Sequence, residues 1–256
     1  MGVLNTSKRP NGRVWWSGAA AAPILIHAVL VLASVQGGGL LPHYVRTQVN
    51  VEALLAESMA VVIAGPILGV FAATRAARLA SSPKHIAQRL AVGAAIFALA
   101  AAVASLVVAR SGDAGALVAS HVTLAIAALT VSSMGAAAGL YFDHPLDATA
   151  CALAVSLTAG CGVLVTGPLV DAAPSAIVNS ALLASPIVAT ASAADIDVLR
   201  GDLLYRFSPI AHSQFAYPAW QAACGTYAVV AAACFAFIVA LSNRGRRMIS
   251  AERISV

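Results

Sequence analysis

Long apolar runs, each ended by a short polar cluster, recur along the chain from residue 17 to residue 242. A helix needs about 20 predominantly apolar residues to cross a bilayer. On that rule the pattern predicts spans at about 17–36, 54–73, 90–109, 116–140, 148–170 and 221–242. The expected fold is all-α: a single polytopic membrane domain over residues 1–256 with six transmembrane helices. The connection 171–220 differs from the others. Its stretch Ser175 to Ala194 is apolar enough to cross, but Pro186 sits in the middle, and Asp195, Asp197, Arg200, Asp202 and Arg206 follow closely. Proline removes a helical hydrogen bond and kinks the chain. The segment is therefore expected to be a re-entrant or outer-surface helical excursion between spans five and six, buried against protein as lipid requires of irregular backbone.

Composition narrows the solvent. Only 10% of the residues are charged and 60% are hydrophobic, whereas a soluble domain carries about a quarter charged residues. The distribution of the 15 basic residues then sets an orientation. With the N-terminus inside, the inner segments hold eleven of them, and the outer segments hold Arg46, Arg110, Arg200 and Arg206. The positive-inside rule thus predicts both termini in the cytoplasm and an even number of spans. A full crossing at 175–194 would carry Arg244, Arg246 and Arg247 outside and destroy the bias. The basic residues end apolar runs instead of forming an aromatic-interleaved face, so no nucleic-acid partner is expected despite the net charge of +5.

Lys8, Arg9 and Arg13 before an apolar run resemble a signal peptide. The run is longer than a usual h-region and lacks an A-x-A site, so it reads as an uncleaved first span. Met1-Gly2 with Thr6 meets the loose myristoylation pattern, but the Ala-rich composition points to a bacterial plasma (inner) membrane protein. Trp15 and Trp16, Tyr141 and Phe142, and Tyr217 and Trp220 sit at span ends, where aromatic rings settle at headgroup level.

Chemical motifs are scarce. Walker A, H-E-x-x-H, nucleophile-elbow and glycine-rich phosphate-loop patterns do not occur, so neither an enzyme nor a metal or cofactor site is expected. Cys151, Cys161, Cys224 and Cys234 lie in apolar runs without metal-ligand spacing and read as small buried apolar side chains. His27 and His121 fall at different depths, which argues against paired haem ligation. Ionisable residues within a span are functional candidates by default. His27, Glu57 and His121, with Pro66 at a kink, are therefore candidates for a translocation path. For Glu57 the competing reading is an anion in the first turn of the second span, held by the helix dipole. Asp143-His144-Pro145 reads as a turn and helix restart. The pairs Gly65/Gly69 and Gly135/Gly139 predict close helix packing. The inner connection 74–89 reads as a helix–turn–helix elbow, with Ser82 as N-cap and Pro83 at the first helical position. It carries Arg75, Arg78, Lys84 and Arg89 and no acidic residue.

Taken together, six spans, cytoplasmic ends, a compact inner elbow and an excursion before the last span resemble the permease subunit of an ABC-2-type ABC transporter. The phrases GPILGVFAATRAARL and LLASPIVATASAADIDVLR…SPIAHSQFAYPAW carry the likeness. The acidic, glycine-containing stretch usual after span two is replaced here by Thr74-Arg75-Ala76-Ala77-Arg78. The resemblance implies a homo- or heterodimer of permeases docked to ABC ATPase subunits. ATP would bind on those partner chains, and Arg75, Arg78, Lys84 and Arg89 would form the coupling contact. Its substrates would be lipids, drugs, peptides or glycans. The alternative class is a non-transporting anchor or assembly subunit of a larger membrane complex, a redox one included, favoured by the poverty of intramembrane polar residues. A secondary transporter would show inverted repeats, and the two halves offer none.

Overall fold

The computed structural model describes residues 43–78, 82–108, 114–165, 175–198 and 216–254. The first expected span, with His27 in it, lies outside the described residues. Among the described residues the fold is all-helical. Its elements are α1 (His43–Arg78), α2 (Pro83–Val108), α3 (Ala114–Tyr141), α4 (Pro145–Val165), α5 (Ser175–Ala184), α6 (Pro186–Ala193) and α7 (Trp220–Ile254). Three described stretches are long and apolar enough to cross a membrane: Leu54–Arg75 in α1, Val118–Tyr141 in α3 and Trp220–Asn243 in α7. The bent pair α5–α6 makes a fourth if it is counted as one span. α2 and α4 are helical where the third and fifth spans were expected.

The apolar side chains point both ways. Phe71, Leu99, Val118, Ile177 and Val229 are each more than half exposed. An apolar coat of this kind suits hydrocarbon better than water. Inside, serine and threonine hydroxyls tie helices together. Thr130 donates to the Tyr227 carbonyl at 3.0 Å, Ser192 to the Pro218 carbonyl at 2.8 Å, and Ser185 to the Gly160 carbonyl at 2.7 Å.

α3 is the central helix and touches α1, α2, α4, α6 and α7. Its contacts fix the directions of the others. One end of the bundle gathers Leu54 of α1, Cys161 of α4, Val178 and Leu182 of α5, Ile187 and Val188 of α6, and Tyr217 just before α7. The other end gathers Ala72 and Ala73 of α1, Ile86 and Leu90 of α2, Ala136 and Ala137 of α3, and Ile238 of α7. Hence α1, α3 and α7 run in one direction, while α2 and α4 run against them. α4 ends and α7 begins at the same end of the bundle, so the α5–α6 pair between them starts and finishes there.

The α1–α3 contact is a glycine seam. A Cβ placed on Gly69 would collide with the Ser132 carbonyl, and one on Gly135 with the Pro66 carbonyl. On Gly139 it would lie 3.1 Å from the Val70 backbone. The two glycine pairs therefore interlock, which is the close packing their spacing predicts.

Pro66 lies inside α1 and has no N–H to offer the Val62 carbonyl one turn back. Ser156 of α4 fills that vacancy, donating to the Val62 carbonyl at 2.7 Å. A buried carbonyl left without a donor costs about 1–3 kcal/mol, more than the ~0.6 kcal/mol typical of an interhelical bond in a membrane. Ser156→Ala should therefore destabilise by the larger amount, and adding Pro66→Ala should recover part of the loss by restoring an N–H. Denaturant unfolding of the four proteins in detergent checks this.

Pro186 breaks the excursion instead of merely kinking it. α5 stops at Ala184, α6 restarts at Pro186, and the axes differ by 77°. Ser185 caps α6, its side chain accepting from the Val188 N–H at 3.5 Å, with proline in the first turn where no N–H is required. α6 ends in a Schellman pattern: the Ile196 N–H reaches the Ala191 carbonyl at 3.0 Å, and Asp195 adopts φ 55. Seven of the eight α6 residues are buried.

Candidate functional site

Glu57 projects from α1 and His121 from α3, and the parallel packing of these helices brings them to one level. Glu57 Oε2 lies 3.7 Å from His121 Nε2, and both residues are about 5% exposed. The contact is a full ion pair when the imidazole is protonated. Ser120 Oγ sits 3.3 Å from His121 Nδ1. Thr123 Oγ1, half a turn further along α3, lies 3.5 Å from Cys224 Sγ of α7. Ser58 and Tyr227 add two buried hydroxyls with no hydrogen-bond partner among the described residues. Glu57, Ser58, Ser120, His121 and Thr123 are thus a buried polar layer of α1 and α3, which Cys224 of α7 meets at Thr123, while Tyr227 belongs to the apolar group of Val61, Leu124, Ala189 and Ala223.

This geometry corrects the helix-dipole reading of Glu57. α1 begins at His43, and its first turn holds no acidic residue. The dipole's influence fades within the first turn, so it cannot hold a carboxylate nearly four turns in. Burying a carboxylate and an imidazole together costs desolvation of several kcal/mol, repaid only by close pairing and further hydrogen bonds. Pro66 is buried in the glycine seam against Gly135, apart from the polar layer.

The elbow residues gather at the opposite end. Pro83 is the first residue of α2, as its spacing predicts, and the His85 N–H meets the Ser82 carbonyl at 2.9 Å. The Ser82 hydroxyl pairs with His85 Nδ1 at 3.0 Å. Arg75 and Lys84 are exposed and Arg89 is half-buried, while the Arg78 side chain lies outside the described residues. The Asp143–His144 turn leads into α4 at Pro145, with the Ala148 N–H on the His144 carbonyl at 3.1 Å.

The cysteines divide. Cys224 is buried and Cys161 half-buried, with its Sγ 3.7 Å from Met59 Sδ, but Cys151 is exposed on the outer face, against the expectation that all four are buried. No cluster of three potential metal ligands occurs among the described residues.

Sequence reasoning singled out Glu57 and His121 separately. It missed their approach and the accompanying Ser58, Thr123, Cys224 and Tyr227. The usable signal is the glycine seam: Glu57 lies eight residues before Gly65, and His121 ten before Val131, the residue Gly65 touches. In parallel helices at about 1.5 Å per residue those offsets correspond to nearly one depth. Comparison of the chain with protein-family models, with curated proteins and with solved structures finds no match.

Proposed function

We infer that the chain is the membrane-spanning permease subunit of an ATP-driven, ABC-2-like exporter, energised by ATPase subunits on separate chains. The observation that carries this reading is the bent α5–α6 pair between the last two long helices, entering and leaving by one end of the bundle while the basic α1–α2 elbow lies at the other. In this reading residues 17–36 supply the first of six spans, α5–α6 is a re-entrant excursion, and both termini lie in the cytoplasm of a bacterial cell. Two permease subunits pair in the plasma membrane. ATP binding on the partner chains pushes on the elbow, and the spans alternate a central path between the two faces.

The test is biochemical. Co-expression with candidate ATPases from neighbouring genes should yield a stable complex whose hydrolysis responds to substrate. Arg78→Glu with Lys84→Glu should leave insertion intact, abolish ATPase association and remove that stimulation. A correctly inserted double variant that still binds the ATPase removes any coupling role from the elbow. If no ATPase subunit ever co-purifies, the permease reading fails.

A further inference from the structure

α3 is the central helix, and its apolar stretch is the most buried of the three long ones among the described residues. Yet Val118 is 62% exposed and Val122 45%. Val118, Val122, Leu129, Ala136 and Leu140 fall in one stripe along a helix of 3.6 residues per turn. Leu129, Ala136 and Leu140 pack with Ile86 and Leu90 of α2 at the elbow end. The other sides of α3 are taken. His121 meets Glu57 of α1 and Thr123 meets Cys224 of α7, and positions two apart lie about 200° around a helix. Leu124, Ala127 and Val131, opposite the stripe, share an apolar group with Ala189 of α6. The bare patch is therefore a slot between α1 and α7, floored by Val118 and Val122, at the end where α1 begins.

We propose that residues 17–36, the first apolar run of the chain, fill this slot as a span packed on α3 beside α1. This placement requires only that the run cross the membrane, and it holds whether or not the chain is a permease. The run from Ser17 to Gln36 is long enough to cross a hydrocarbon core of about 30 Å. Only residues 37–42 separate it from α1, and a connection of that length reaches at most about 25 Å. The step from His43 to Leu54 sets the start of α1 about 16 Å beyond its own apolar stretch. About 19 Å of sideways reach remains. With packed helix axes about 8–10 Å apart, the slot beside α1 is within that reach. The far side of α7, with α3 between it and α1, is not. The outer half of the run, Val29 to Val35, is apolar enough to face the two valines.

Disulfide scanning of the full chain in native membranes tests this. The four native cysteines are removed, and a protease site is placed within residues 37–42. Val118→Cys or Val122→Cys is then paired in turn with a cysteine at each of residues 24–35. After oxidation and cleavage, the N-terminal fragment should stay attached for partners three or four residues apart, on one helical face. Val118→Cys should select partners nearer residue 35, and Val122→Cys partners about one turn deeper. Ile63→Cys, Val155→Cys and Val229→Cys, at exposed apolar positions of α1, α4 and α7, should leave the fragment free. Attachment to these three as readily as to the α3 positions, or attachment to none, would overturn the proposal. A disulfide that links two copies of the chain and never its own N-terminal run gives the slot to a second copy and overturns it as well. If one α3 variant aggregates on gel filtration, the other decides by the same outcomes.

Discussion

Gly135→Ala and Gly69→Ala should each unlock α1 from α3, although each adds only a methyl group. The new carbon on Gly135 meets the Pro66 carbonyl, and that on Gly69 meets the Ser132 carbonyl and the Ala136 nitrogen. These are backbone atoms of facing helices, so no rotamer change relieves the clash and the helices must separate. Overpacking typically costs 1–3 kcal/mol and sometimes more; with backbone on the receiving side, about 3 kcal/mol or more is expected. Gly139→Ala, with its nearest contacts at 3.1 Å, should cost about 1 kcal/mol by the same reasoning. Gly93→Ala and Gly225→Ala meet nothing within 4 Å and should fall within about 0.5 kcal/mol of wild type. Denaturant unfolding of the five variants in one detergent gives the ranking. A flat series would mean that the glycine seam does not hold α1 to α3.

The second large effect belongs to the buried pair. His121→Leu leaves the Glu57 carboxylate facing an apolar side chain, and breaking a buried pair from one side costs about 3–5 kcal/mol. Glu57→Leu leaves an imidazole that still has Ser120 Oγ 3.3 Å from its Nδ1, so it should cost less, about 1–3 kcal/mol. Replacing both residues by leucine removes the desolvation penalty together with the attraction, and such exchanges are often neutral or stabilising. The double variant should therefore be more stable than His121→Leu alone. Purely additive losses across the cycle would show that the two side chains, 3.7 Å apart, are not coupled.

The helices were legible because hydrocarbon imposes a simple rule on composition. The span starting near residue 54, the break at Pro186, the start of α2 at Pro83 and the interlocking glycines all follow from local chemistry: apolar length, a missing N–H, and the absence of a Cβ. The site was legible only in fragments. Glu57 and His121 stand out as ionisable residues in apolar runs, but their meeting depends on the axial register of α1 against α3, which no local pattern encodes. The same holds for Ser156, whose donor role follows from the carbonyl that Pro66 frees on another helix. The start of α1 was misplaced because His43 to Val51 is too polar to count as span yet is helical. That error is what made Glu57 look like a helix-start anion. Exposed Cys151 was misread because an apolar run does not say which of its faces meets lipid and which meets protein.

The topology can be measured directly by cysteine labelling in intact cells. The four native cysteines are first removed, and single cysteines are then placed at four exposed positions: Asp195 and Ala216 at one end of the bundle, Lys84 and Asp143 at the other. A membrane-impermeant maleimide should modify positions 195 and 216 from outside, and positions 84 and 143 only after the cells are permeabilised. Labelling of 195 and 216 from opposite sides, or of 143 and 216 from the same side, would contradict a chain in which α5–α6 enters and leaves by one face.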